Sequence, residues 1–121
     1  MKTPAPARLC AIGLVTALPA VLPAWAHHGW SSYDAETVLV LEAPILAARY
    51  QNPHGEIEME AEGTRWLVTL APPARMERRG LSREQLVPGK TVTVEGYPSR
   101  EHEDEMRAER ITIDGSTIEL R

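Results

Sequence analysis

Residues 56–70 predict two strands joined by a turn; their sequence is Glu56-Ile57-Glu58-Met59-Glu60-Ala61-Glu62-Gly63-Thr64-Arg65-Trp66-Leu67-Val68-Thr69-Leu70. In the first half, glutamates and apolar residues alternate strictly, which predicts a half-buried strand with Ile57, Met59 and Ala61 facing inward. Gly63-Thr64 predicts the turn, and residues 65–70 predict the returning strand. The glutamates between the inward residues then form a solvated face of the sheet.

A long apolar run precedes this hairpin, over residues 37–50. Residues 38–41 are its strand-forming part. Pro44 interrupts the run, which predicts an edge position, a bulge, or a break between two strand halves. The sequence Gln51-Asn52-Pro53-His54-Gly55 is typical of a turn, and it joins this run to the hairpin.

The chain after the hairpin predicts a helical insertion followed by more strands. Residues 74–79 can form about two helical turns that end at Gly80. Residues 82–85 read Ser-Arg-Glu-Gln, which has the form of a capping box and opens another short turn. Three further strands are predicted, at residues 90–97, 107–113 and 116–120, the last two joined by Asp114-Gly115.

Five or six short strands with one short helical insertion predict a mainly β fold, a small OB-like β-barrel. The helical insertion lies between the third and fourth long strands, which is the arrangement of an OB-type barrel. Trp66 and Tyr97 are expected in the core of this barrel, together with Met59. Trp30 and Tyr33, in a polar arm before the first strand, are expected to tether that arm to the barrel.

The beginning of the chain has the composition of a secretory signal peptide. Lys2 and Arg8 supply the basic start, and residues 9–22 are an apolar segment. Ala24 and Ala26 fit the small-residue rule for cleavage after residue 26. The alternative is an uncleaved membrane anchor, but the apolar segment is shorter than the roughly 20 residues that a span needs. The sequence therefore predicts a signal peptide over residues 1–26 and a periplasmic or secreted product.

Cleavage leaves residues 27–121 as a single domain of 95 residues that is more acidic than the whole chain. Both charged residues removed, Lys2 and Arg8, are basic, so the net charge changes from −4 to −6. A nucleic-acid partner is disfavoured, because phosphate neutralisation needs a basic face. The only cysteine, Cys10, is removed as well, which excludes disulfides and thiolate metal sites. No second apolar segment follows, so we expect no membrane association after cleavage.

The same cleavage exposes His27 and His28 as the first residues of the mature chain. The α-amine and Nδ1 of His27 can chelate one ion, and a second imidazole would complete a histidine brace of three nitrogens. Tetragonal nitrogen ligation suits Cu(II). In a competing mode, the α-amine, the amide nitrogen of residue 28 and the His28 imidazole bind Cu(II) in one plane. His54, in a turn stiffened by Pro53, is the candidate for the distant ligand.

Each histidine also has a structural interpretation. The mature terminus could be disordered, as chain ends often are, and His54 could be a turn histidine that hydrogen-bonds to backbone. His102 lies among Glu101, Glu103, Asp104 and Glu105, and is expected to be a solvated loop residue rather than a ligand.

Six motifs occur in order along the sequence: Ala26-His27-His28, Asn52-Pro53-His54, Pro72-Pro73, Arg79-Gly80-Leu81-Ser82-Arg83, Leu86-Val87-Pro88-Gly89-Lys90 and Val92-Thr93-Val94-Glu95-Gly96-Tyr97. With them the chain resembles a family of small secreted bacterial proteins of unknown function, whose members begin the mature chain with His-His and carry an Asn-Pro-His motif. The chain departs from that pattern at Gly29-Trp30, where many members have Ser-Phe, and at Leu81, where an aromatic residue is common. The resemblance implies that His27, His28 and His54 are motif positions, and it implies no activity.

Two hypotheses of function follow from the sequence. The first is a copper-binding protein that holds Cu(II) through the amine and imidazole of His27 and through His54, with His28 assisting. It buffers copper or delivers it to another periplasmic protein. An oxidative enzyme using the same ligands is less favoured, because so small a domain has little surface for a substrate. The alternative is a metal-free binding module that recognises a protein or a small acidic ligand through a barrel face or through Arg75, Arg78 and Arg79.

Overall fold

The computed structural model describes residues 2–4 and 29–121. Within them the chain forms six strands: β1 (Leu39–Arg49), β2 (Glu56–Ala61), β3 (Thr64–Thr69), β4 (Thr91–Pro98), β5 (Glu105–Ile113) and β6 (Ser116–Glu119). The described residues also contain one short helix, α1 (Pro73–Arg78), and 3-10 turns at Trp30–Ser32 and Arg83–Gln85. In this part of the chain no helix is long and apolar enough to cross a membrane.

The first five strands close into a barrel. Hydrogen bonds join the strands in the order β3-β2-β1-β4-β5-β6, and a parallel pairing of β3 with β5 closes the ring. The amino-terminal half of β5 pairs with β3 and its carboxyl-terminal half pairs with β6, so β6 is an extra strand outside the ring. Since α1 lies between β3 and β4, the predicted OB-like barrel with a short helical insertion is confirmed.

The β2–β3 hairpin has the predicted faces. Ile57 and Met59 are 1% and 0% exposed, whereas the glutamates between them lie on the outer face. Glu62 and Gly63 occupy the turn with φ values of 53° and 78°, a geometry that glycine adopts easily. The turn is therefore one residue earlier than predicted, because Thr64 already pairs with Ala61.

Pro44 lies within a continuous strand, next to a bulge. Residues 39–44 pair with β4, whereas pairing with β2 begins only at Ile45, and the register shifts between Ile45 and Ala47. The Ile45 amide donates to Lys90 O on the β4 side (2.9 Å), so the nitrogen of Pro44 faces the opposite side. Because β2 has not begun there, the strand tolerates a residue without an N–H donor.

The core contains the inward residues of all six strands together with Met76 from α1, Leu81 and Leu86. Trp66 packs against this core as predicted. The placement of Tyr97 in the core was wrong. Val92, Val94 and Gly96 are the buried positions of β4, and side chains alternate between faces, so Tyr97 lies on the outer face and is half-buried.

A second bulge, between β4 and β5, sets the faces of β5. Glu95 pairs with Arg110, but the next residue, Gly96, pairs with Ala108, so Glu109 is the extra residue. Ala108 and Ile111 consequently both face inward although they are three positions apart, a spacing that would put them on opposite faces of a regular strand. Arg107, opposite Tyr97, is placed on the outer face of the barrel.

Candidate functional site

The predicted ligands occupy different parts of the chain. His54 is half-buried in the loop between β1 and β2, and His102 is exposed in the loop between β4 and β5, as predicted. His27 and His28 lie outside the described residues. Within residues 2–4 and 29–121 there is no group of three or more His, Cys, Asp or Glu side chains that could hold a metal ion.

The backbone next to His54 is fixed to the end of β3. The amide of Gly55 donates to Ala71 O (2.9 Å), and the amide of Leu70 donates to Gly55 O (2.8 Å). A Cβ at residue 55 would lie 2.5 Å from Met76 Cε, so a larger residue here would require the Met76 side chain to move. The candidate ligand His54 is therefore followed directly by Gly55, whose backbone hydrogen bonds hold the loop in place.

The start of the same loop is fixed at Tyr50. Its hydroxyl donates to Leu81 O (2.8 Å), and its own carbonyl accepts from Arg83 Nη2 (2.9 Å). The Arg83 guanidinium also lies 5.1 Å from the centre of the Tyr50 ring. Both ends of the loop are thus held, which restricts where the His54 imidazole can go.

The arm before β1, residues 29–38, lies on the barrel at the end of β4. The amide of Asp34 donates to Pro98 O (2.9 Å), Tyr33 forms an isolated bridge with Ser99, and the amide of Arg100 donates to Ser32 O (2.9 Å). Tyr33 is only 7% exposed. The prediction that Trp30 and Tyr33 tether the arm is confirmed.

Arg107 joins the arm to the His54 loop. Its side chain, on the outer face of β5, is covered so well that the residue is 6% exposed. Nη2 lies 3.4 Å from His54 Nε2, and the guanidinium carbon lies 4.2 Å from the centre of the Trp30 ring and 6.0 Å from that of Tyr33. One guanidinium therefore contacts both the first aromatic residue of the arm and the histidine of the loop.

Two further side chains contact Trp30, and Glu109 connects them to each other. The Arg121 guanidinium lies 4.7 Å from the centre of its ring, and the Tyr97 ring meets it edge-on at 6.2 Å. Glu109 accepts a hydrogen bond from the Tyr97 hydroxyl and pairs with Arg121 at 3.7 Å. Cation–π and aromatic contacts of this kind are each worth about 0.5–2 kcal/mol, so the arm is held at a defined point.

Two further arginines, Arg75 and Arg121, act electrostatically on Arg107. Burial lowers the pKa of Arg107, the charges of Arg75 and Arg121 lower it further, and Tyr33 opposes that shift. Arginine nonetheless keeps its charge in proteins. Beside it, the hydrogen bond to Glu109 raises the pKa of Tyr97, so this hydroxyl stays protonated at neutral pH.

Sequence reasoning missed Arg107. In Glu105-Met106-Arg107-Ala108 an arginine between inward residues has the pattern of an ordinary solvated strand position. Arg107 differs from such a position because Trp30, Tyr33 and His54, from other parts of the chain, cover its side chain. The aromatic residues of the arm were the only sequence signal that something lies against this face.

The basic cluster on α1 has partners within the chain. Arg75 Nη1 donates to Leu120 O (3.2 Å), and Arg79 Nη1 donates to Glu119 O and Arg121 O (both 2.7 Å). Arg78 Nε donates to Ala74 O in its own helix (3.3 Å). Two of the three arginines thus bind the carboxyl-terminal segment, which reduces the support for this cluster as a site for an acidic ligand.

A comparison with known protein families matches most of this chain. The model of a family described as "Family of unknown function (DUF6152)" matches residues 16–107, which is more than half of the chain. The matched residues include His27, His28, His54 and Arg107. No curated protein matches the chain.

Proposed function

The chain belongs to the family of unknown function DUF6152, and we propose that its mature form is a periplasmic or secreted protein that binds one Cu(II) ion. The amine and imidazole of His27 and the imidazole of His54 are the ligands, and His28 assists. The protein buffers copper or delivers it to another periplasmic protein. One observation carries the proposal: Trp30 stacks on the same guanidinium that contacts His54. The chain just after the two amino-terminal histidines is thereby anchored beside the third.

The length of chain between the anchor and the terminus supports this ligand set. Consecutive Cα atoms are 3.8 Å apart and an extended chain spans at most about 3.6 Å per residue, so the Cα of His27 lies within about 11 Å of that of Trp30. The Trp30 ring lies 4.2 Å from the Arg107 guanidinium, which in turn is 3.4 Å from His54 Nε2. The length of the chain therefore allows residue 27 to approach the His54 imidazole.

The donor chemistry favours copper over other metals. The α-amine and the imidazoles supply nitrogen only, and the mature chain has no cysteine to supply a thiolate. Cu(II) prefers such tetragonal nitrogen ligation and stands highest among the divalent metals of its row in affinity for it. Since His27 and His28 compete for the same amine, His54 is the ligand that selects the brace mode.

The amine exists only after cleavage, which makes the proposal testable. The experiment uses protein exported and processed from the full-length chain without a tag, because an extension at residue 27 would acylate the amine and one at Arg121 would disturb the stacking on Trp30. Cu(II) affinity is measured by competition with a chelator, and the ligand nitrogens are counted by electron paramagnetic resonance. We expect one site, nitrogen-rich and much tighter than that of an unstructured histidine peptide.

Variants separate this site from adventitious binding. His27→Ala, His54→Ala and an alanine inserted before His27 should each weaken binding at least about 100-fold, since loss of even an outer partner of a ligand costs about 10–100-fold. His102→Ala is the matched control, an exposed histidine on the β4–β5 loop, and should leave affinity unchanged. Binding no tighter than a histidine peptide, or equal losses at His54 and His102, would contradict the proposal.

A further inference from the structure

The contact between Arg107 and His54 indicates which ring nitrogen of His54 accepts a hydrogen bond and which one carries the proton. A guanidinium has only N–H donors, so at 3.4 Å from Arg107 Nη2 the Nε2 atom of His54 must accept with its lone pair. A neutral imidazole that accepts at Nε2 carries its proton at Nδ1. In this arrangement neither nitrogen presents a lone pair to a metal ion.

The guanidinium is well placed to hold the ring in that orientation. It is nearly buried and stacks between the loop and the arm, against Trp30 at 4.2 Å. The bulge at Glu109 directs this arginine to the outer face, toward the arm. Arg107 is therefore a cation kept in position by the fold at the point where the proposed site needs a metal cation.

We propose that Arg107 is a positioning residue that stands in for the metal: in the metal-free protein it holds the His54 ring toward the arm, and metal uptake transfers the Nε2 lone pair from the guanidinium to the metal. This inference rests on the proposed function. It adds an unfavourable contribution to the free energy of metal binding, because the metal must displace Arg107. Two cations a few ångströms apart also repel each other. Arg107 thus lowers the affinity of the site while it keeps the site assembled.

The inference predicts a gain where a purely structural role predicts a loss. Arg107→Met removes the charge and the donor but retains an apolar side chain against Trp30, and it should raise Cu(II) affinity at least tenfold. Arg107→Lys keeps a cation and a donor, so its affinity should rise less than that of Arg107→Met. If Arg107 only holds the fold together, both variants bind Cu(II) more weakly.

Nitrogen-15 spectra of the metal-free protein give a readout that does not depend on copper. In the wild-type protein His54 should be protonated at Nδ1 with Nε2 as the acceptor, whereas Arg107→Met should show a mixture of tautomers. His102, which is exposed on the β4–β5 loop, should have the same spectrum in both proteins. An unchanged His54 spectrum would show that Arg107 does not set the tautomer and would overturn the inference.

A measurement on the wild-type protein covers the case in which Arg107→Met does not fold. Zn(II) is a diamagnetic ion that accepts the same nitrogen ligands. On its addition, the His54 Nε2 resonance should move to a metal-bound position, and the Arg107 guanidinium protons should lose their protection from exchange. An Arg107–His54 hydrogen bond that persists in the loaded protein would overturn the displacement.

The outcomes also distinguish this inference from the proposed function. If the wild-type protein binds Cu(II) tightly and Arg107→Met binds it equally or less tightly, the function stands and the inference is wrong. If neither protein binds Cu(II), both are wrong. Tighter binding by Arg107→Met than by the wild-type protein supports the inference, and the wild-type affinity by itself decides the function.

Discussion

Gly96 sets how closely β4 and β5 approach at the bulge that directs Arg107 outward. A Cβ at this position would lie 2.0 Å from Arg107 O and 2.7 Å from Ala108 Cα. Both neighbouring atoms belong to the backbone of a paired strand, so neither can move without breaking the ladder. Because Gly96 has a hydrogen where other residues have a side chain, β4 and β5 can adopt the geometry on which the contact between Arg107 and His54 depends.

Gly96→Ala should therefore destabilise the protein by about 3 kcal/mol or more, at or above the upper end of overpacking effects. The matched control is Gly63→Ala, at a turn where a Cβ would meet nothing within 4 Å and only the positive φ of 78° resists substitution. That control should cost about 1–2 kcal/mol. Denaturant unfolding measures both, and equal costs would show that the strands can separate at the bulge.

At the scale of elements, the short helix α1 and the carboxyl-terminal segment depend on each other. Six residues are too few to form a stable helix alone. Pro73 opens α1, Met76 buries its side chain completely in the core, and the carbonyls at Glu119 and Arg121 accept from Arg79. Arg121 in turn stacks on Trp30, so this helix influences the arm through the end of the chain.

Arg79→Met should loosen the segment after β6 and destabilise the protein by about 1 kcal/mol, a small effect because these charged hydrogen bonds are exposed. Hydrogen exchange should become faster in residues 116–121, and Trp30 fluorescence should change with it. Arg78→Met is the control, since Arg78 bonds only to Ala74 O within α1 among the contacts seen at this position. Equal effects of the two substitutions would rule out a specific role for Arg79.

At the scale of the whole molecule, two aspartates at the surface connect elements that are distant in sequence. Asp34 in the arm accepts from Thr37 Oγ1 and pairs with Arg100 of the β4–β5 loop. Asp114 in the β5–β6 turn accepts from Lys90 Nζ and from Gln85 Nε2. Hydrogen bonds, chiefly from Thr37 and Lys90 respectively, lower the pKa of each carboxyl below its usual 3.8.

These shifts predict the sign of the acid response. Because the pKa of each carboxyl is below 3.8 in the folded state, the unfolded chain binds protons first as the pH falls. The stability that these carboxylates contribute is therefore present above pH 3.8 and is lost as the pH falls through the folded-state pKa values. Asp34→Asn and Asp114→Asn should be destabilising at pH 7 and nearly neutral relative to wild type near pH 2. Denaturant midpoints at both pH values test this, with Asp104→Asn as the control, and a difference that grows toward low pH would contradict it.

Much of the barrel could be predicted from local sequence because its strands and turns are local. The alternation around Ile57 and Met59, the Asp114-Gly115 turn and the capping box at Ser82 each specify a structure over a few residues. The misplaced Tyr97 shows the limit of this reasoning. An aromatic residue at the end of an alternating strand is predicted to lie in the core. Only the knowledge that Val92, Val94 and Gly96 form the inward face of β4 places Tyr97 outside.

The sequence by itself determined the strands, the turns, the helical insertion and the presence of a histidine in the β1–β2 turn, because backbone propensity and side-chain periodicity act between near neighbours. Only the tertiary structure decided the parallel closure of β3 on β5, the outward direction of Arg107 and the meeting of Trp30, Arg107 and His54. Arg107 and His54 are 53 residues apart, and no local pattern carries information over that distance. The bulge at Glu109 that directs the arginine outward is itself a consequence of how β4 and β5 fit in the closed barrel.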